Sequence, residues 1–147
     1  MNIRQCAVVV SVTYLLIFGF EPAVADEADS SEPWTIVNYW SLWCEPCREE
    51  IPELNKLHEE LKSSNVIVVG INFDEDPYDE TLKIARQMGI EFPVWTTEKV
   101  RELQLSPPFV LPTTYILSPA NEVKARLVGV QDRRSLKAKL AELTILD

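Results

Sequence analysis

Two cysteines separated by two residues constrain this chain more than any other feature. Residues 35–40, which end four positions before Cys44, are rich in β-branched and aromatic side chains, which predicts a buried strand. In residues 48–62, apolar side chains recur at helical spacing with Glu and Lys on the other face, which predicts an amphipathic helix. Cys44 and Cys47 therefore lie where a strand becomes a helix.

This position favours redox chemistry over a structural role. A disulfide is attacked by a thiolate, and the unpaired N–H groups and dipole at a helix N-terminus stabilise that anion. Cys44 is thus the expected nucleophile and Cys47 the expected resolving thiol. Pro46 has the backbone angle that a helix start requires, and Trp43 offers apolar surface to a partner chain. A structural clip would close too small a loop to stabilise much. A metal site would need two more ligands, and His58 is the chain's single histidine.

The rest of the pattern alternates strands and helices. The order predicts an α/β fold with a mixed sheet, in which the apolar run at 66–71 is expected to be a central parallel strand. The remaining predicted elements are a helix at 78–88, a short strand at 92–96, a short helix at 98–104, a hairpin of strands 113–117 and 122–128, and a last helix capped by Asp132.

The N-terminus has the pattern of an export signal. Residues 1–25 combine Arg4, a short apolar stretch and small residues at 23–25, so we expect a cleaved signal peptide, a linker at 26–34 and one domain at 35–147. An uncleaved membrane anchor is the alternative. The mature chain would enter a periplasmic or secreted compartment, where disulfides persist. The net charge of -9 excludes a nucleic-acid reader, which needs a basic surface.

Residues 38–52, with the Cys-Glu-Pro-Cys motif at their centre, resemble the active-site stretch of the thioredoxin superfamily. The likeness is greatest to its exported TlpA/ResA-type thiol-disulfide reductases, and it extends over about residues 35–143 through Gly70-Ile71-Asn72 and Leu111-Pro112-Thr113. It implies a thioredoxin-like fold with a mixed central sheet flanked by helices on both faces, and no cofactor.

The resemblance also implies roles for residues outside the motif. Pro112 should be cis, and Leu111 before it should pair through its backbone with an extended substrate segment. Cytoplasmic thioredoxins accept the proton of the resolving cysteine with a buried aspartate, but this chain has Asn38 there. ResA-type proteins carry a glutamate shortly after the second strand, so we expect a partly buried Glu75 to take the proton of Cys47.

The function implied is reduction of an oxidised client protein, such as apocytochrome c, by a monomer that receives electrons from a membrane thiol–disulfide protein. Glu45 between the cysteines favours this direction, because its charge opposes the thiolate and hence the reduced state. Three alternatives stay open: a peroxide-reducing enzyme on the same fold, a metal-binding chaperone module that uses both cysteines, and a non-enzymatic chaperone-like domain.

Overall fold

A computed structural model describes residues 32–146 of the chain. The expected signal peptide and most of the expected linker lie outside these residues. The elements are β1 (Trp34–Trp40), α1 (Glu45–Leu61), β2 (Val66–Asn72), α2 (Tyr78–Gln87), α3 (Thr97–Glu102), β3 (Thr113–Leu117), β4 (Val123–Val128) and α4 (Arg133–Glu142).

The four strands form one mixed sheet in the order β2-β1-β3-β4. β1 pairs parallel with β2, whereas β3 pairs antiparallel with both β1 and β4. The predicted α/β class and mixed sheet are confirmed. The predicted parallel pairing of the strand at 66–71 is confirmed, but β1 rather than β2 is central among the four strands. On its outer side β2 has, within the described residues, a single bridge in place of a full neighbouring strand.

Both faces of the sheet are covered by apolar side chains, as predicted. Alternate residues of β1 point to opposite faces: Ile36 and Trp40 belong to one core cluster, and Val37 and Tyr39 to the other. The larger cluster contains the apolar faces of α1, α2 and α4, and the smaller one contains Val100 of α3.

The predicted strand at 92–96 is reduced to a single parallel bridge. Val94 pairs with Gly70, and the bonds run from the Gly70 N–H to the Pro93 carbonyl (2.8 Å) and from the Trp95 N–H to the Gly70 carbonyl (2.9 Å). Pro93 has no N–H to donate, which prevents a longer ladder.

Helix ends agree with the sequence signals. Asp132 caps α4 by accepting the Ser135 N–H at 2.6 Å, as predicted.

Trp34, expected in the linker, is instead the first residue of β1. Among residues 32–146, no helix is both long and apolar enough to cross a membrane.

Candidate functional site

The site lies at one edge of the sheet, where three loops begin or end. Trp40, the last residue of β1, pairs with Asn72, the last residue of β2. Tyr39 pairs with Thr113, the first residue of β3, because β3 runs the opposite way. The loops that follow β1 and β2 and the loop that precedes β3 therefore share this edge.

Cys44 is the N-cap of α1, and its side chain accepts the Cys47 N–H at 3.2 Å. The two sulfurs form a disulfide with 5.3 Å between the Cα atoms. Pro46 occupies the first turn of the helix, where its missing N–H leaves no bond unmade. In this oxidised state both cysteines are buried: Cys44 is 3% exposed and Cys47 is 0% exposed.

The loop before Cys44 is held on two sides and presents apolar surface. Trp43 is 66% exposed. Its Nε1 donates to Asp74 Oδ1 at 2.9 Å, and its ring meets Phe73 edge to face with 6.4 Å between centroids. On the other side, the Arg48 guanidinium donates to the Leu42 carbonyl at 2.8 Å. Trp43 thus presents an exposed indole in the loop that leads to Cys44.

The loop before β3 carries the second expected landmark. The Leu111–Pro112 peptide bond is cis, as expected. Leu111 is partly exposed, and within residues 32–146 its N–H and C=O have no backbone hydrogen-bond partner. Phe109 before it is 97% exposed and Val110 is about half exposed. The loop thus offers free backbone groups and apolar side chains at the edge where α1 begins.

Sequence reasoning missed a buried carboxylate. Glu50 of α1 is fully buried and accepts Asn38 Nδ2 at 2.6 Å on one oxygen and the Gln131 N–H at 2.9 Å on the other. Asn38 Nδ2 also donates to Thr114 Oγ1 at 3.1 Å. Burial raises the pKa of Glu50 to about 7, although both hydrogen bonds act to lower it.

A signal for Glu50 was present in the sequence. It lies three residues after Cys47 and one before Ile51, so it falls within the buried stripe of α1. A glutamate in an apolar stripe must find hydrogen-bond partners or stay protonated.

The structure does not support the role expected of Glu75. Its side chain is 54% exposed, and its carboxylate lies 3.6 Å from the guanidinium of Arg101. The expected partial burial is therefore wrong. Glu75 lies three residues after the end of β2, in a loop where its φ is 54°, and it lines a surface pocket of about 220 Å³ beside α3. The lining of that pocket includes neither cysteine.

Residues 23–126 match the AhpC/TSA family. The chain is 28% identical over 107 residues to the thiol-disulfide oxidoreductase ResA of Geobacillus kaustophilus, covering 73% of this chain and 61% of that protein. It is also 28% identical over 114 residues to the thioredoxin-like protein YneN of Bacillus subtilis, covering 76% and 66%. It spans about three-fifths of the length of the ResA relatives it matches.

Solved structures show the same fold. A DsbF homologue from Corynebacterium diphtheriae superposes with a TM-score of 0.61 at 26% identity, covering 78% of this chain and 74% of that one. StoA from Bacillus subtilis superposes with a TM-score of 0.61 at 21% identity, covering 75% and 84%. The thioredoxin-like arrangement of sheet and helices is thus shared with these proteins.

Proposed function

Because the chain belongs to the AhpC/TSA family of thioredoxin-like proteins, we propose that it is a thiol–disulfide oxidoreductase that reduces disulfides of other proteins through Cys44 and Cys47. The observation that carries the proposal is the position of the Cys44 sulfur. It lies at the N-cap of α1, accepts a backbone N–H and is bonded to Cys47. In the reduced protein the same N–H and the helix dipole stabilise a thiolate at this atom.

The first step is attack of the Cys44 thiolate on one sulfur of the client disulfide. A bond forms between Cys44 Sγ and that sulfur, the client S–S bond breaks, and the second client sulfur leaves as a thiolate that takes a proton from solvent. The product is a mixed disulfide.

The second step needs Cys47 as a thiolate. Glu50 is proposed to accept the Cys47 proton, because its carboxylate is buried one helical turn further on the same face of α1 and its pKa of about 7 suits proton transfer at neutral pH. Cys47 Sγ then bonds to Cys44 Sγ, the bond between Cys44 Sγ and the client sulfur breaks, and that sulfur leaves as a thiolate that takes a proton from solvent. Two electrons and two protons have passed to the client.

Client binding is proposed at the edge shared by the three loops. The N–H and C=O of Leu111, which have no backbone partner within residues 32–146, can bond to an extended client segment as an added strand next to Pro112. Trp43, Pro46 and Phe109 supply exposed surface around the point of attack.

The direction proposed is reduction, with a second dithiol protein restoring the pair. Glu45 is exposed in the first turn of α1, where its negative charge opposes a thiolate at Cys44 and so favours the disulfide form of this protein. The protein is proposed to be exported, to act on an oxidised client such as apocytochrome c, and to receive its electrons from a membrane protein.

Trapping tests the cycle. Cys47→Ser, expressed in the native host, should accumulate Cys44 in a mixed disulfide whose mass identifies the client, and Cys44→Ser is the matched control that should trap nothing. The redox potential, measured against glutathione, should lie well below the value of about −120 mV that is typical of a strong oxidant. A potential near that value would overturn the direction, and turnover of hydrogen peroxide instead of disulfides would overturn the activity.

The proton role of Glu50 has its own test. Glu50→Gln should slow resolution of a preformed mixed disulfide at pH 7 by about 10²-fold, the usual contribution of a positioned base. Glu49→Gln, a change of the exposed neighbour, should leave the rate unchanged. Equal rates in the two variants would remove Glu50 from the mechanism.

A further inference from the structure

The carboxylate of Asp74 joins two side chains of the loop that leads to Cys44. Ser41 Oγ donates to Asp74 Oδ2 at 2.5 Å, and Trp43 Nε1 donates to Asp74 Oδ1 at 2.9 Å. Each carboxylate oxygen therefore takes one donor. This arrangement of Asp74 with Ser41 and Trp43 is called the Asp74 bridge below.

Asp74 is itself anchored to the sheet. Its backbone N–H donates to Asn72 Oδ1 at 3.1 Å, and Asn72 Nδ2 donates in turn to Thr81 Oγ1 at 3.2 Å. Asn72 is the buried last residue of β2. The carboxylate thus extends from a fixed support, although the residue that carries it is exposed.

Trp43 depends on this support for its orientation. The indole is two-thirds exposed, and within residues 32–146 its one aromatic contact is the edge-to-face approach of Phe73. An aromatic side chain with so little packing around it would occupy several rotamers in solution. The hydrogen bond from Nε1 to Asp74 selects one orientation of the ring before any client is bound.

We propose that Asp74 is a positioning residue for client recognition, which fixes the Trp43 indole as a preformed apolar surface beside Cys44 for a segment of the oxidised client protein. The inference rests on the proposed disulfide exchange and names a determinant of its client binding. The ring is already held in one rotamer in the free protein. Client binding therefore does not carry the entropic cost of ordering it. The Asp74 bridge therefore lowers KM for a protein client and leaves the sulfur chemistry unchanged.

The kinetic test compares a large and a small disulfide. Reduced protein is mixed with excess of a 12-residue peptide that holds an internal Cys-x-x-Cys disulfide between apolar flanks, or with glutathione disulfide, and oxidation of Cys44 and Cys47 is followed after acid quenching and alkylation. Asp74→Ala should raise KM for the peptide about two- to tenfold, which corresponds to ordering one large side chain on binding. In Asp74→Ala, the limiting rate with peptide and the rate with glutathione disulfide should each stay within about twofold of the wild-type rate, because neither depends on docking at the indole.

Two variants separate the hydrogen bond from the charge. Asp79→Ala removes an equal charge from the exposed first turn of α2 and should match the wild-type protein. Trp43→Phe keeps an aromatic ring and the Asp74 charge but removes the Nε1 donor, so it should raise KM as Asp74→Ala does. Both changes remove the bond from Trp43 Nε1 to Asp74, so the two combined should raise KM no more than the larger single effect.

The bridge is also observable without a client. In ¹H–¹⁵N NMR spectra the indole N–H signal of Trp43, assigned by its loss in Trp43→Phe, should shift and exchange faster with solvent in Asp74→Ala. A purely stabilising role of Asp74 would leave the peptide KM equal to that of Asp79→Ala and would refute the proposal. So would an equal loss of rate with peptide and glutathione disulfide, or additive effects of Asp74→Ala and Trp43→Phe.

These failures are distinct from failure of the proposed function. If the wild-type protein reduced neither the peptide nor glutathione disulfide, the disulfide exchange itself would be refuted, together with the recognition role that rests on it. Normal wild-type turnover with an unchanged KM in Asp74→Ala would refute the positioning role alone.

Discussion

Glu50→Gln should remove a loss of folding stability that the wild-type protein suffers as pH rises. Burial raises the pKa of this carboxyl from its ordinary 4.5 to about 7. Between these pH values the folded protein holds a proton that the unfolded chain has released, so the free energy of unfolding falls as pH rises. The stabilisation is complete below about pH 4.5 and is lost as pH rises through about 7.

The magnitude follows from the same change in pKa. A rise from 4.5 to about 7 corresponds to a loss of about 3 kcal/mol of stability between low and high pH. Glutamine cannot titrate, so Glu50→Gln should remove this loss. It has one acceptor where Glu50 has two, but its amide can donate to Asn38 Oδ1, which has no partner within residues 32–146, so we expect a penalty of about 1 kcal/mol at most.

Urea unfolding at pH 5, 6, 7 and 8, with the disulfide kept oxidised so that the cysteines do not titrate, measures the effect. Glu50→Gln should be about equal to the wild-type protein or slightly less stable at pH 5, and about 2 kcal/mol more stable at pH 8. Glu49→Gln, next to it on the exposed side of α1, should follow the wild-type curve. A difference between Glu50→Gln and wild type that stays constant from pH 5 to 8 would show that this carboxyl does not titrate as the structure indicates.

Three further substitutions test other parts of the structure. Gly70→Ala places a Cβ 2.7 Å from Trp40 Nε1, so thermal unfolding should show a destabilisation of about 1–3 kcal/mol from overpacking. Leu54→Ala opens a cavity at a fully buried position of α1, and urea unfolding should show a loss of about 2–5 kcal/mol. Glu75→Gln should leave resolution of the mixed disulfide within about twofold of wild type in a quenched-flow assay, because its exposed carboxylate pairs with Arg101. A large loss of rate there would restore Glu75 to the mechanism.

Patterns local in sequence were sufficient to predict the elements around the cysteines. The strand at 35–40 and the helix that begins near Cys44 follow from side-chain periodicity over a few residues, and β3 was predicted with the bounds observed. The cap at Asp132 depends on contacts within a single turn. The prediction of a full strand at 92–96 is wrong, because the apolar side chains indicate pairing with a neighbouring strand that Pro93, which has no N–H, cannot complete.

The chain by itself determined where the reactive sulfurs lie, since a strand, a Cys-Glu-Pro-Cys turn and an amphipathic helix are each set by neighbouring residues. Tertiary structure alone decided which carboxylate is buried on the face of α1 that carries Cys47. Glu50 accepts hydrogen bonds from Asn38 of β1, which also donates to Thr114 of β3, and from the Gln131 N–H just before α4. The bonds of Glu50 to Asn38 and Gln131 span 12 and 81 residues of sequence. Glu75 follows the expected strand, but the loop turns its side chain to solvent. Burial depends on the packing of distant elements, and it is burial that raises the pKa of one glutamate to about 7.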